Sequence, residues 1–376
     1  MDTLPRMAIF DIPLEELRTR RSIKWSRFEP DVLPMFVAEM DVHLQPELLE
    51  RLQRMLAEGD TGYPEQPIYQ EAYTAFAADT WGLRLDPTVM KTACDTMSPI
   101  RELTASLTAP GDAVVFNPPI YPPFRWVVST TGCRPVEVPL AASRLDLDAL
   151  ERAFATEHPK VYLLCSPHNP TGTLHTPEEL EAVMELANRY DVVVVSDEIH
   201  APLSGSRHTP ILSVPGGERA ITVTAASKAF NLAAMKAGLI IPGDEARGIV
   251  ADLGPHVHEA ASYFGVMANA TALNVGREWL AQLRDEIREN KLHFASELRK
   301  HLPELDWTPS EGTYLAWLDC SPLGLDHPGQ RFHEQGRVRF NFGTDFDPSA
   351  TQHVRINLAT SRDLISEAVR RMAACS

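Results

Sequence analysis

Ala220-Ile221-Thr222-Val223-Thr224-Ala225-Ala226-Ser227-Lys228-Ala229-Phe230-Asn231 is a β-branched apolar run that breaks into small residues and then presents a Ser-Lys pair. In an open α/β sheet, ligands bind outside the carboxyl ends of the strands, where the chain turns toward the next helix. The run therefore predicts a buried strand, a turn carrying Lys228, and a short helical stretch ending near Lys236. Lysine is the side chain that condenses with an aldehyde when a pocket lowers its basicity, so a lysine held at such a turn is a candidate covalent anchor. For an arbitrary Ser-Lys pair a solvated loop lysine is the commoner outcome, and the choice rests on the rest of the chain.

Working outward, further strand-like runs are 113–116, 161–165, 192–195 and 238–241, all continuous rather than alternating. Continuous apolar runs are what strands buried on both faces of a mostly parallel sheet require. Helical patterns separate several of them, as over 177–190, where Pro177 opens the helix and Glu178 and Glu179 lie in its first turn. Residues 46–58 and 68–81 are amphipathic helices. The fold class is α/β, a doubly wound sheet with a smaller α+β domain.

Residues 1–45 read as an arm belonging to the small domain, with extended runs at Ile23-Lys24-Trp25 and 33–38 split by prolines. The large domain is expected over 46–284. Residues 255 to about 302 are largely helical and lead into a C-terminal domain at 285–376. That domain has strands at 314–318, 338–340 and 354–358 and a closing helix over 361–372, capped by Ser361.

The chain has 376 residues, more than one hydrophobic core usually holds. Its 35 Lys plus Arg against 51 Asp plus Glu give a net charge of -16, which repels phosphate backbones and argues against nucleic acid as a partner. Met1 to Arg6 lack a basic-then-apolar leader pattern, and no segment has the ~18 consecutive apolar residues of a membrane span, so a cytoplasmic protein is expected. The five cysteines are scattered, with no pair at metal-ligand spacing, and no metal site is expected.

Three loops follow three of the buried strands. Ser166-Pro167-His168-Asn169-Pro170-Thr171-Gly172 follows Cys165, Ser196-Asp197-Glu198-Ile199-His200 follows Val195, and the Lys228 turn follows Val223. Parallel strand ends converge on one crevice, so Asn169, Asp197 and Lys228 should meet there. A lysine, a buried carboxylate and an amide donor are what pyridoxal phosphate (PLP) requires: the lysine to bind the aldehyde and move protons, the carboxylate to keep the pyridine nitrogen protonated, the amide to bond the ring oxygen.

These residues resemble those of fold type I PLP enzymes of the aminotransferase superfamily, and the chain is similar to the MalY/PatB branch of cystathionine and cysteine-S-conjugate β-lyases. The resemblance runs through Lys24-Trp25, Val37-Ala38-Glu39-Met40-Asp41, Tyr121-Pro122-Pro123-Phe124, the three loops, Gly312-Thr313-Tyr314-Leu315-Ala316-Trp317 and Arg355-Ile356-Asn357-Leu358-Ala359-Thr360-Ser361-Arg362. Asp-Glu-Ile-His at 197–200, in place of Asp-Glu-x-Tyr, marks the branch. The resemblance implies that Tyr121 stacks on the cofactor ring, that His200 belongs to the cofactor's surroundings, and that Ser227 and Lys236 hold the phosphate. The phosphate cup is implied at Thr96 and Met97, in the turn before a helix beginning near Pro99. Arg355 would clamp the substrate α-carboxylate, with Ala38 and Asn169 beside the substrate. Tyr63 would reach into the site of a second subunit, making the active unit a homodimer. The cup departs from the branch, reading Asp95-Thr96-Met97-Ser98-Pro99 where a Gly-Val-Val-Pro-like run is usual, and Ala233-Ala234-Met235 stands where Ala-Gly-Leu is common.

The reaction implied is β-elimination. Lys228, displaced by the substrate amine, removes the α-proton, a β-thiolate leaves, and the remainder hydrolyses to pyruvate and ammonia. An aminotransferase with the same residues, and a tailored PLP enzyme of a biosynthetic pathway, are the alternatives. A catalytically silent binding protein is a third, against which the joint presence of Lys228, Asp197 and Arg355 argues.

Overall fold

The computed structural model describes residues 8–64 and 67–376; Met1 to Arg6, read above for a leader, lie outside the described residues. The chain divides into two compact units. The larger holds Gln45–Asn169 and Thr173–Arg277, the smaller Met1–Leu44, Pro170–Gly172 and Glu278–Ser376. The second boundary thus falls between Arg277 and Glu278 rather than at 284–285, which leaves all but the first residue of the continuous helix Arg277–His301 in the smaller unit.

The larger unit is built on a seven-stranded sheet. Its strands are β1 (Lys91–Ala93), β2 (Ala113–Phe116), β3 (Arg134–Glu137), β4 (Val161–Cys165), β5 (Val193–Asp197), β6 (Ile221–Thr224) and β7 (Gly238–Pro242). They lie in the order β1-β7-β6-β5-β4-β2-β3, with β7 alone running antiparallel to its neighbours. Successive residues face opposite layers: Val161, Leu163 and Cys165 enter one apolar core, Tyr162 and Leu164 the other. This two-sided burial is why the strands read as unbroken apolar runs.

Two strands escaped the reading. β1, at one edge of the sheet, is short and half polar, and β3, at the other, exposes Arg134, Pro135 and Glu137 and carries a proline that suits an edge. The expected helix between Asn231 and Lys236 is absent. The chain instead makes successive turns, with Phe230 N donating to Ala226 O at 3.0 Å and Leu232 N to Ser227 O at 2.8 Å, and Asn231 adopts φ +56°. The helix expected near Pro99 begins two residues earlier, at Met97.

The smaller unit centres on an antiparallel sheet of β8 (Leu315–Asp319), β9 (Asn341–Phe342) and β10 (His353–Asn357), with β10 in the middle. The helix Arg362–Ala373, capped by Ser361 Oγ accepting from Leu364 N at 3.3 Å, buries Leu364, Ile365, Ala368, Val369 and Met372 in this unit's core. Ile23-Lys24-Trp25 is not extended but forms a helical turn, Ile23–Ser26, that directs Lys24 inward. Lys24 Nζ lies 2.7 Å from Asp41 Oδ2, the Trp25 indole N–H donates to Asp41 Oδ1 at 2.8 Å, and the pair is buried. A buried charge needs such a partner, which dictates the turn. Gly172 belongs to this unit as well; at φ +72° a Cβ there would strike the Ser310 side chain, and its carbonyl accepts from Gly312 N at 2.8 Å.

Candidate active site

The register of the large sheet brings its functional strand ends level. Cys165 stands opposite Asp197, and Asp197 opposite Val223, so β4, β5 and β6 finish side by side. Asn169 lies four residues beyond β4, Asp197 is the last residue of β5, and Lys228 lies four residues beyond β6. Tyr121 follows β2, half-buried against the same apolar layer as Phe116 and Phe124. This is the crevice at which parallel sheets collect ligands.

Asp197 is buried, and burial pushes its carboxyl up to about 7, opposed by a hydrogen bond from Ile199 N to Oδ1 at 3.2 Å and by the positive charge of Lys228. Glu198 and Asp95 add to the upward push. One backbone N–H and a neighbouring positive charge do not offset that desolvation, so the carboxylate can take a further N–H partner. The residues present fit the expected cofactor: a pyridine N–H offered to Asp197 would restore its ionised form, and half-buried Lys228 feels that same carboxylate.

Behind Asp197 lies a second buried carboxylate that sequence reading left without a role. Glu198 Oε1 accepts from Ile211 N at 2.9 Å and Ser196 Oγ at 3.1 Å, while Oε2 lies 3.2 Å from His208 Nε2. The Glu198 carbonyl accepts from Thr224 Oγ1 at 3.1 Å, which ties β5 to β6 just before the lysine turn. That turn is also pinned by Tyr69. Its buried hydroxyl accepts from Ala226 N at 3.0 Å and donates to Asn269 Oδ1 at 3.4 Å. The only sequence signal for Tyr69 is a polar-tipped aromatic inside an amphipathic helix.

The implied phosphate cup is the N-terminus of the helix Met97–Leu107. Thr96 is buried there, Met97 is half-buried, and Asp95 Oδ1 accepts from Ser98 N at 2.8 Å. Exposed Lys236 lies 3.5 Å from Asp95 Oδ2, so the Asp that departs from the branch pattern pairs with one of the implied phosphate-binding residues. Gly238 is required opposite it, since a Cβ there would come within 2.8 Å of Asp95 O. Ser227 and His200 are buried in the same unit, His200 just ahead of the short helix Ala201–Ser204. Tyr63, also in this unit, has 98% of its side chain exposed.

Arg355 and Ala38 belong to the smaller unit. Arg355 is 4% exposed; its Nη2 donates to Phe36 O at 2.9 Å and to Asn341 Oδ1 at 2.7 Å, and its guanidinium lies 4.8 Å from the centre of the Phe346 ring. Ala38 is held from below by the Tyr314 hydroxyl, which donates to its carbonyl at 3.0 Å. Asn357 Nδ2 donates to Val37 O at 2.8 Å, fixing the same strap. Among the described residues no group of His, Cys, Asp and Glu has the arrangement of a metal site, and no helix is long and apolar enough to cross a membrane.

Residues 39–372 match the family model of aminotransferase class I and II. The cystathionine beta-lyase of Corynebacterium glutamicum is 33% identical over 96% of this chain and 98% of its own length. The cystathionine beta-lyase PatB of Bacillus subtilis is 31% identical over 97% and 99%. The crystal structure of cystalysin from Treponema denticola, which contains pyridoxal 5'-phosphate, superimposes with a TM-score of 0.89 at 26% identity, covering 98% of this chain and 99% of that one. A lysine, a buried aspartate and an asparagine at three aligned strand ends, in a chain matched nearly end to end by such proteins, place it: the chain belongs to the aminotransferase class I and II family, in the MalY/PatB branch.

Proposed function

We propose that this protein is a PLP-dependent carbon–sulfur β-lyase that acts on cystathionine or an S-substituted L-cysteine and releases a thiol, pyruvate and ammonia. The observation that carries the proposal is the buried Asp197 under the charge of Lys228 at the ends of two neighbouring strands, and the similarity to cystathionine β-lyases supports it. When bound, PLP supplies an aldehyde for the substrate amine and a ring that withdraws electrons from the substrate α-carbon.

The chain's own residues do the rest. Lys228 would anchor the cofactor, and its Nζ would take the α-proton of the substrate. Asp197, ionised by its ring partner, keeps the pyridine nitrogen protonated. Asn169 donates to the ring oxygen, Tyr121 packs on the ring face, and His200 borders it. Ser227, Lys236 and the N–H groups at Thr96 and Met97 hold the phosphate at a helix N-terminus. Arg355 holds the substrate carboxylate in a two-pronged contact, with Ala38 beside it. Loss of the β-thiolate and addition of water then complete the balance to thiol, pyruvate and ammonium.

The active species in this reading is a homodimer in which Tyr63 serves the partner's site, supported by the outward projection of its ring. A cytoplasmic location is part of the reading and is supported by five free thiols, four of them buried. The test is incubation with L-cystathionine or an S-alkyl-L-cysteine without any 2-oxo acid. Multiple turnovers yielding equal amounts of pyruvate, ammonia and thiol are expected. One turnover that stalls and resumes only on addition of a 2-oxo acid would make the protein an aminotransferase.

A further inference from the structure

The helix at the proposed phosphate cup already holds an anion of its own. Met97–Leu107 opens with few amide groups to give: Ser98 N donates to Asp95 Oδ1 at 2.8 Å, Pro99 has no N–H, and Ile100 N donates to Thr96 O at 3.3 Å. The other carboxylate oxygen, Asp95 Oδ2, lies 3.5 Å from Lys236 Nζ. The backbone of Asp95 is fixed in this place. Its carbonyl sits against Gly238 on β7, where a Cβ would meet it at 2.8 Å and the Thr224 carbonyl at 3.1 Å, and Ala93 pairs with Gly238 in the ladder. The carboxylate thus reaches the amide and the lysine from a rigid base. Its charge is also felt at Asp197, where it adds to the upward push on that carboxyl, so Asp95 stands at the cofactor's end of the sheet.

We propose that Asp95 sets how firmly this chain holds its cofactor: its carboxylate competes with the cofactor's phosphate for the positive field of the helix terminus and of Lys236, so that PLP binds less tightly than it would beside a neutral side chain at 95. This rests on the reading of Thr96, Met97, Ser227 and Lys236 as the phosphate site. Two anions drawn to one cation and one helix end repel each other, and by linkage each lowers the other's hold by the same factor. Asp95 and Lys236 are both partly exposed, so solvent screens the competition and its size is a few-fold rather than a hundredfold. Asp95→Asn keeps an acceptor for Ser98 N, carries no charge and leaves Lys236 to the phosphate. The discrimination falls on the phosphate alone: pyridoxal, with the same ring and aldehyde and no phosphate, does not sense the residue.

The experiment measures the Kd of PLP and of pyridoxal, from the visible absorbance of the bound cofactor, for the full chain as wild type, Asp95→Asn, Asp95→Ser and Lys236→Gln. At low salt Asp95→Asn is expected to bind PLP about three- to fivefold more tightly than the wild type, and the gain should shrink at high salt. Pyridoxal binding should stay within about 1.5-fold, whereas a merely structural role would move both ligands together. Asp95→Ser also accepts from the helix without a charge and should behave as Asp95→Asn does, so a folding defect in one variant does not decide the outcome. Lys236→Gln should weaken PLP and leave pyridoxal unchanged. If Lys236→Gln does so while both Asp95 variants leave PLP affinity unchanged or lower it, Asp95 does not compete with the phosphate; the inference is overturned and the phosphate site stands. If Lys236→Gln leaves PLP affinity unchanged as well, the phosphate is not held at Lys236, and the site fails together with the inference.

Discussion

At the scale of the residue, Asp197 shows how a fold stores an unfavourable charge for later use. Burial holds its carboxyl up at about 7, whereas in an unfolded chain it would titrate near ~3.9. Between those values the cofactor-free native state keeps a proton that the unfolded chain has released. Stability therefore falls as pH rises through this window, by up to about 1.4 kcal/mol per pH unit, and levels off above it. Asp197→Asn removes the titrating group and keeps the shape. Thermal unfolding of the cofactor-free proteins should show the wild type losing ground to the variant from pH 4 to pH 7. Parallel curves would mean that Asp197 is already ionised in the cofactor-free protein. A ring N–H at Asp197 adds a second donor beside Ile199 N, so the same residue that weakens the empty protein favours the loaded one.

At the scale of the element, the lysine turn is held by neighbours distant in sequence. Ala226 N–H is buried and its acceptor is Tyr69, 157 positions away. Tyr69→Phe leaves that N–H without its acceptor, and a buried donor deprived of its partner costs about 1–3 kcal/mol. Denaturant unfolding should record a loss of that size, with a changed visible absorbance of the bound cofactor because the turn bearing Lys228 shifts. An unchanged spectrum together with unchanged stability would show that water takes over from the hydroxyl. The same contrast governs what could be read beforehand. β2, β4 and β6 are legible because burial on two faces forces continuous apolar runs, and Asn169, Asp197 and Lys228 are legible because they stand at such runs' ends. The turns after Lys228 were misread as helix because small apolar residues suit either, and the tertiary bond to Tyr69 decides. The Lys24 turn was misread because its cause, Asp41, is 17 positions away. Asn341 carries no sequence signal, since Arg355 meets it only across a ladder and meets Phe36 across 319 positions.

At the scale of the whole molecule, the larger unit exposes apolar side chains that a solitary subunit gains nothing by exposing. Tyr63 is 98% exposed, and Leu49 and Leu56 on the helix Pro46–Glu58 are 42% and 63% exposed. Tyr63 also borders a cavity of about 560 Å³ whose wall includes Pro64, Met90, Thr92 and Val266. Single exposed apolar residues are ordinary, but several on one unit, with Tyr63 among them beside a cavity, are what a second copy would cover. If Tyr63 completes the partner's site, two defects on different subunits must complement. Tyr63→Phe and Lys228→Ala homodimers are each expected to be impaired. Mixed in equal amounts and allowed to exchange, about half of the dimers become heterodimers, each with one site containing both Lys228 and the opposite subunit's Tyr63. Activity should then rise to about a quarter of wild type. Subunit exchange is followed independently by mass, so a mixture that exchanges fully yet shows only the mean of its parents would place Tyr63 in its own subunit's site. A Tyr63→Phe protein with full activity would remove the residue from the site altogether. Complementation requires that the two side chains act on one cofactor from two chains, because no rearrangement within a single subunit restores a lysine that the chain does not possess.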